Sequence, residues 1–151
     1  GMANQRGVEL VNFQVPPGVS GERASVVVSR DGNRSAAVSV PLLARQPAVF
    51  TLNGVDGIVV RVPEYALVTA AQPLRKGEFV YVYANALGGD GQAEVTVGGV
   101  NCPVQFAGPA PGLVGIAQVN FQVAQDAPRG VQDLILSIGS TASPAVKVPV
   151  E

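Results

Sequence analysis

Histidine and tryptophan are absent from the 151 residues, and cysteine occurs once. Without histidine, neither a Ser-His-Asp triad nor a Cys-His pair can form, and no imidazole can ligate a metal. The single Cys102 cannot form an intrachain disulfide, and no cationic neighbour in the sequence would lower its pKa, so we expect it to pack as a small apolar side chain. We therefore predict a protein that is not an enzyme, with no catalytic residue, no cofactor and no metal site.

Charge and long apolar runs are also scarce. Charged residues make up 14% of the chain, and ten basic residues against eleven acidic ones leave a net charge of −1. This balance provides no basic patch for nucleic acid. No apolar run reaches the roughly 18–20 residues that cross a bilayer, and the start GMANQRGVEL lacks the basic-then-apolar order of a signal peptide. We expect no nucleic-acid partner and no membrane insertion, and no signal peptide is visible in this chain.

The residues that are abundant favour strands joined by tight turns. Hydrophobic residues make up 47% of the chain, with 18 glycines and 12 prolines, and apolar and polar residues alternate over many short stretches. One stretch, 63–73, offers a proline and a glutamate followed by good helix formers, and a short turn of helix is the alternative there. The sequence predicts an all-β fold with strands over 11–15, 24–29, 36–42, 49–52, 57–62, 78–84, 92–97, 100–106, 116–123, 132–138 and 145–150.

The five letters VNFQV occur twice, at 11–15 and at 119–123. An ungapped comparison of 11–42 with 119–150 gives eleven identities, and apolar character is kept at many of the other positions. Such a unit cannot bury its apolar face alone, so each copy needs further strands beside it.

Only the second copy is preceded by enough predicted strands to build a seven-strand immunoglobulin-like β-sandwich. We predict a complete immunoglobulin-like unit over 66–151 and a partial related unit over 1–65, completed by 49–62 or by another molecule. Unpaired sheet edges of an incomplete sandwich usually have a partner, so we expect a protein partner or self-association, with a homodimer as one outcome.

The stretches VNFQVPPGVSG, PAVFTLNG, AQPLRKGEFVYVYANALG and FAGPAPGLVGIAQVNFQV together resemble the uncharacterised C-terminal domain family of Solibacter and other acidobacterial proteins. The resemblance implies an immunoglobulin-like β-sandwich without known activity, in an extracytoplasmic or cell-surface setting. The family has Thr-Gly-Leu-Gly where this chain has Asn85-Ala86-Leu87-Gly88, so a turn that the family makes with glycine must form here by other means.

Two groups of polar and aromatic residues are candidates for a surface role. Asn12, Gln14, Asn120 and Gln122 recur with identical spacing, either as a polar strand face or as amides that bond the backbone of a neighbouring sheet or module. Tyr81 and Tyr83 share one face of a predicted strand, either as core packing or as a patch for a sugar or protein partner.

Three aspartates, Asp31, Asp56 and Asp90, each precede a glycine. Carboxylates in loops can ligate calcium, but Asp-Gly pairs are primarily turn signals, so we interpret them as turns.

The sequence leaves three hypotheses for the function of the chain. The first is a non-catalytic structural or interaction module that acts through sheet edges and loops. The alternative is a carbohydrate- or cell-wall-binding module, which requires an exposed aromatic platform. An unfamiliar enzyme is the third, and it would require a cleft with two close carboxylates.

Overall fold

The computed structural model describes residues 2–3, 9–11, 13–16, 18–88 and 92–151, and these form strands and turns without a helix. The predicted all-β class is therefore confirmed. The short helix considered for 63–73 does not form; instead, Leu67 bridges to Val60 and Val68 enters the core. None of the described residues belongs to a helix that could cross a membrane.

Sixteen strands follow one another along the described part of the chain. They are β1 (Met2–Ala3), β2 (Glu9–Leu10), β3 (Arg23–Val26), β4 (Ser29–Arg30), β5 (Asn33–Arg34), β6 (Val38–Pro41), β7 (Ala48–Val49), β8 (Val59–Arg61), β9 (Phe79–Asn85), β10 (Ala93–Val97), β11 (Val100–Cys102), β12 (Val104–Pro109), β13 (Ala117–Gln122), β14 (Gly130–Ile138), β15 (Thr141–Ala142) and β16 (Val146–Val150).

The chain divides into two compact units, Gly1–Ala44 and Arg45–Glu151. The second unit is a sandwich of two five-stranded antiparallel sheets. One sheet has the order β12-β13-β9-β7, with β8 also paired to β9. The other has the order β11-β10-β14-β15, with β16 also paired to β14.

The core of the second unit lies between these two sheets. Apolar residues at alternate positions of each strand face inwards, as period-two patterning requires. The buried cluster draws on both sheets, with Phe121 as its largest side chain and valine, leucine and alanine as its main components.

The two lateral sides of the sandwich differ. On one side, β16 is covered by backbone bonds from the segments around Gly57 and Leu74, whose N–H groups donate to Lys147 O and Pro149 O. On the other side, β11 and β12 are the last strands of their sheets. The sandwich is therefore closed at one side and ends in two edge strands at the other.

The predicted strand over 100–106 is two strands in different sheets. Pro103 separates them, since proline has no N–H for a ladder and interrupts a strand. The chain crosses from one sheet to the other at this residue.

The boundary between the compact units falls before Arg45, earlier than the boundary predicted after residue 65. The reason is that Ala48–Val49 and Val59–Arg61 pair with β9 and extend its sheet. Residues 49–62 therefore complete the second unit and not the first.

The first unit consists of short two-stranded pairs: β1 with β2, β3 with β6, and β4 with β5. The described residues between 11 and 44 are all exposed or half-buried. This unit therefore shows strand pairing without a packed core among its described residues.

Candidate functional site

The outer surface of the β12-β13-β9 sheet gathers most of the aromatic residues of the chain. In β9, Val80, Val82 and Ala84 face the core, so alternation turns Tyr81 and Tyr83 to the opposite surface. The two tyrosines therefore share one face of the strand, as predicted.

Strand register adds residues from neighbouring strands to this surface. Tyr81 lies opposite Asn120 of β13 on one side and Val60 of β8 on the other, and Asn120 lies opposite Phe106 of β12. One row of paired positions therefore crosses four strands: Phe106, Asn120, Tyr81 and Val60.

Two parallel rows flank this one. In the first, Gly108 lies opposite Gln118, and Gln118 opposite Tyr83. In the second, Gln122 lies opposite Phe79. Phe50 follows the inward-facing Val49, and its N–H donates to Tyr83 O, which places it beside the first row. We call this surface the aromatic face, defined by Phe50, Val60, Phe79, Tyr81, Tyr83, Phe106, Gln118, Asn120 and Gln122.

The two tyrosines pack edge to face, with ring centroids 5.3 Å apart and an interplanar angle of 71°. Tyr81 is buried although it lies on the outer surface. Burial raises the pKa of Tyr81, and a side-chain hydrogen bond with Tyr83 and the nearby charges of Tyr83 and Tyr65 raise it further. Tyr81 is therefore a neutral, fixed support at the centre of the face.

The exposed rings lie around this centre. Phe79 and Phe106 are 47% and 43% exposed, and Tyr65, which lies close enough to influence Tyr81, is 75% exposed. None of the residues that define the aromatic face carries a formal charge at neutral pH. The surface is thus a neutral combination of aromatic rings and side-chain amides.

The predicted amide residues of the second repeat make bonds inside their own unit. Gln118 Nε2 donates to Asn120 Oδ1 at 2.8 Å, and Gln122 Nε2 donates to Gly77 O at 2.8 Å. The carbonyl of Gly77 lies in the loop before β9, so Gln122 ties this loop to β13. In the first repeat, Gln14 is exposed, and Asn12 lies outside the described residues.

Phe106, Phe79 and Phe50 were not predicted as site residues. The alternation of aromatic and valine residues in 79–83 is a sequence signal that could have indicated Phe79. The position of Phe106, however, depends on the pairing of β12 with β13, including the register shift between Val104 and Phe106.

An open groove of about 470 Å³ lies between the edge strands β11 and β12. Polar side chains line much of it, among them Glu94, Asn101 and Gln105, and Phe106 borders it as well as the aromatic face. Cys102 also lines the groove but is buried, and burial raises the pKa of its thiol. The thiol therefore stays protonated at neutral pH, and Glu94 is the only carboxylate among the lining residues.

Of the two described Asp-Gly positions, Asp31-Gly32 forms a turn, whereas Asp56 and Gly57 lie in isolated β-bridges after the bend over 52–55. Asn53 Nδ2 donates to Asp56 Oδ2 at 2.7 Å, and Asp31 has a positive φ of 50° and an ion pair of 3.5 Å with Arg30. Asp90 lies outside the described residues. Across the described ranges, no three histidine, cysteine, aspartate or glutamate residues group to hold a metal ion.

No family model matches the chain, and no curated protein matches it. Among solved structures, the chain is similar to SGBP-B from a complex xyloglucan utilization locus in Bacteroides uniformis, with 17% sequence identity and a TM-score of 0.41. The alignment covers 91% of this chain and 31% of that chain, so the chain spans less than a third of that protein's length.

Proposed function

We propose that the chain is a non-catalytic interaction module whose second unit binds a protein partner through the aromatic face. The observation that carries the proposal is the distribution of aromatic residues. Of the five phenylalanines and three tyrosines, five lie on the aromatic face and Tyr65 lies at its rim, whereas only Phe121 is in the core.

Aromatic side chains are the largest source of burial energy available to a fold. Valine and leucine fill most of the core, and most of the aromatic rings lie outside it. This distribution favours a role of the rings in recognition. Rings that are held rigidly by neighbouring strands lose little conformational entropy on binding, and aromatic residues are enriched among interface hot spots. Tyr81 and Tyr83 are held in this way, with their ring centroids 5.3 Å apart.

The absence of charge on the face supports a partner surface that is apolar and neutral. The chemistry of the groove supports the non-catalytic part of the proposal, because its lining offers a single carboxylate and a protonated thiol. Paired groups with separated pKa values would be needed for acid-base catalysis.

We further infer that the second unit is immunoglobulin-like. In chain order, its strands occupy the places A (β7 and β8), B (β9), C (β10), C′ (β11), D (β12), E (β13), F (β14) and G (β16). The sheet orders β12-β13-β9-β7 and β11-β10-β14-β16 then correspond to D-E-B-A and C′-C-F-G, the arrangement found in immunoglobulin domains.

The test uses a photo-reactive phenylalanine analogue at position 79 or, as a matched control, at Val131, which is exposed on the other sheet. We expect position 79 to cross-link one defined protein in cells of origin. Excess unlabelled wild-type chain should abolish this cross-link, and a chain with Phe79→Ser and Phe106→Ser should not. Equal competition by both chains would refute the proposal.

A second candidate is carbohydrate binding at the edge groove. The favouring observation is that Asn101, Gln105 and Phe106 place two amides beside one exposed ring, a combination that suits hydroxyl groups and the apolar face of a sugar. Affinity electrophoresis in gels with neutral soluble glucans or xylans tests it. Retardation that Gln105→Ala abolishes and Phe79→Ser leaves intact would favour this candidate over the first.

A further inference from the structure

From Arg23 onward, the first copy of the repeat has the same strand register as the second. In the first unit, Ser25 lies opposite Ser39, and Val26 opposite Val38. In the second unit, the positions 108 residues later show the same pairs, Asp133 opposite Lys147 and Leu134 opposite Val146. The hairpin β3–β6 is therefore the counterpart of the hairpin β14–β16.

The agreement extends to side-chain hydrogen bonds. Val28 N donates to Ser35 Oγ at 3.0 Å, and Leu136 N donates to Ser143 Oγ at 3.1 Å. Each serine hydroxyl then donates to the carbonyl of the next residue at 2.9 Å. The small pairs β4–β5 and β14–β15 also match, because Ser29 with Arg34 corresponds to Ser137 with Ala142.

The copies differ in what covers them. Phe121 and Val146 are 0% and 5% exposed, whereas their counterparts Phe13 and Val38 are 65% and 60% exposed. Val11, Val15 and Val28 are likewise exposed at positions where the second copy is buried. The first copy thus presents to solvent the side chains that form the core in the second.

The coverage in the second unit comes from the strands that precede its repeat. We call β7 to β12 the opening half and β13 to β16 the closing half. β13 lies between β9 and β12, and β10 lies beside β14. In the second unit, β10 pairs with one edge of β14. In the first unit, the corresponding edge of β3 has no strand beside it among the described residues.

The count of halves determines the kind of partner. By sequence, these 151 residues contain two copies of the closing half, 11–42 and 119–150, and one opening half. If two chains exchanged opening halves, two closing halves would still be uncovered. A second copy of this chain therefore cannot complete the first unit with the pairing seen in the second.

We propose that the described residues of 11–42 are a docking surface for an opening half supplied by a partner polypeptide. The chemistry of that opening half is specified by the second unit. It has free strand edges and a strand like Phe79–Asn85, whose inner positions are valine and alanine, and it packs these onto Phe13, Val28 and Val38. This inference uses a different surface from the aromatic face and does not depend on it.

The experiment adds an opening half to the first copy of the repeat within the same chain. Residues 45–118 are placed again directly before Val11, so that the new junction repeats the one between Gln118 and Val119. Backbone amide exchange is then compared by mass spectrometry in the segment 23–41, with the segment 131–149 as an internal measure of correct folding.

We expect exchange of 23–41 to be fast in the unmodified chain and about 100-fold slower in the extended chain, because completed sheets protect their amides. The matched control is the extended chain with Val80→Asp and Val82→Asp in the added half only, which should leave 23–41 unprotected. Unchanged exchange in the extended chain, with 131–149 protected, would overturn the proposal.

Light scattering of the unmodified chain tests whether a second copy of the chain occupies the docking surface instead. We expect a monomer mass across the concentration range in which exchange of 23–41 is fast. A dimer in which 23–41 becomes protected would also overturn the proposal, because a second copy would then cover the surface.

Discussion

Ser35 and Ser143 are 108 residues apart in the sequence and hold the same hydrogen bonds in their respective hairpins. Each hydroxyl accepts from the N–H of the residue seven positions earlier and donates to the carbonyl of the next residue. Ser35 is exposed, whereas Ser143 is one of the few buried polar residues. The same local structure therefore exists once in solvent and once beneath a packed core.

This pair provides a direct measure of what burial adds to a hydrogen bond. We expect Ser143→Ala to lower the free energy of unfolding of the second unit by about 1–3 kcal/mol, because the N–H of Leu136 loses its buried acceptor. The matched change Ser35→Ala should cost less than about 0.5 kcal/mol, since water can replace the hydroxyl. Urea denaturation measures both, and equal losses would contradict the burial argument.

Arg61 and Glu78 form the one ion pair among the described residues in which both side chains are largely buried, with Nε and Oε2 3.1 Å apart. Arg61 Nη2 also donates to the carbonyls of Gln72 and Pro73. Nη1 has no hydrogen-bond partner in the described part of the chain. We expect Glu78→Gln to destabilise the second unit by about 3–5 kcal/mol, because it leaves a buried guanidinium without its counter-charge.

The control for this change is the exposed ion pair between Arg75 and Glu151, whose Nε and Oε1 are 3.2 Å apart. Glu151→Gln should cost no more than about 1 kcal/mol, as is usual for surface pairs. Thermal and chemical denaturation of the two variants give the comparison. A loss for Glu78→Gln as small as that for Glu151→Gln would show that the buried pair does not stabilise the fold.

The strand pattern could be predicted because alternation is local in sequence. The residues of VNFQV at 119–123 illustrate this: Val119, Phe121 and Val123 are buried, as their spacing indicates. The same spacing misleads at 11–15, where Val11, Phe13 and Val15 are exposed and the described residues form no strand. Burial requires a second sheet, and whether the chain provides one is not encoded in the five letters.

The aromatic face was only half predictable for a similar reason. Tyr81 and Tyr83 are two residues apart, so their shared face follows from alternation alone. Phe106 joins them because β12 pairs with β13 and β13 with β9, and pairing between strands distant in sequence is not visible in a local pattern. The predicted boundary after residue 65 differs from the division before Arg45 for the same reason, since the pairing of Val59–Arg61 with β9 is also non-local.

Ala86 directly follows β9 and has a positive φ of 50°. An alanine in this left-handed region costs about 1–2 kcal/mol. Glycine removes that cost but gives back about 0.4–1 kcal/mol through the larger entropy of the unfolded chain. We expect Ala86→Gly to stabilise the second unit by about 0.5–1 kcal/mol in urea denaturation.

The matched control for Ala86→Gly is Ala107→Gly in β12, a strand residue that lies outside the left-handed region. There the same substitution should destabilise by about 0.5–1 kcal/mol, because glycine weakens a strand interior. If both variants were destabilised to the same extent, the backbone of Ala86 would not be strained.

The division of the chain before Arg45 makes a prediction about fragments. We expect residues 45–151 to unfold cooperatively with a free energy within about 1 kcal/mol of that of the full chain, since they contain both sheets and the whole packed core. Residues 66–151 should fail to fold. They lack Val49 and Val59, each of which contributes about 1.5–3 kcal/mol of burial, and they leave Glu78 without Arg61. The sum of these losses approaches the whole free energy of unfolding of a typical domain. Circular dichroism and calorimetry of the two fragments check this directly, and a stable 66–151 fragment would instead place the domain boundary after residue 65.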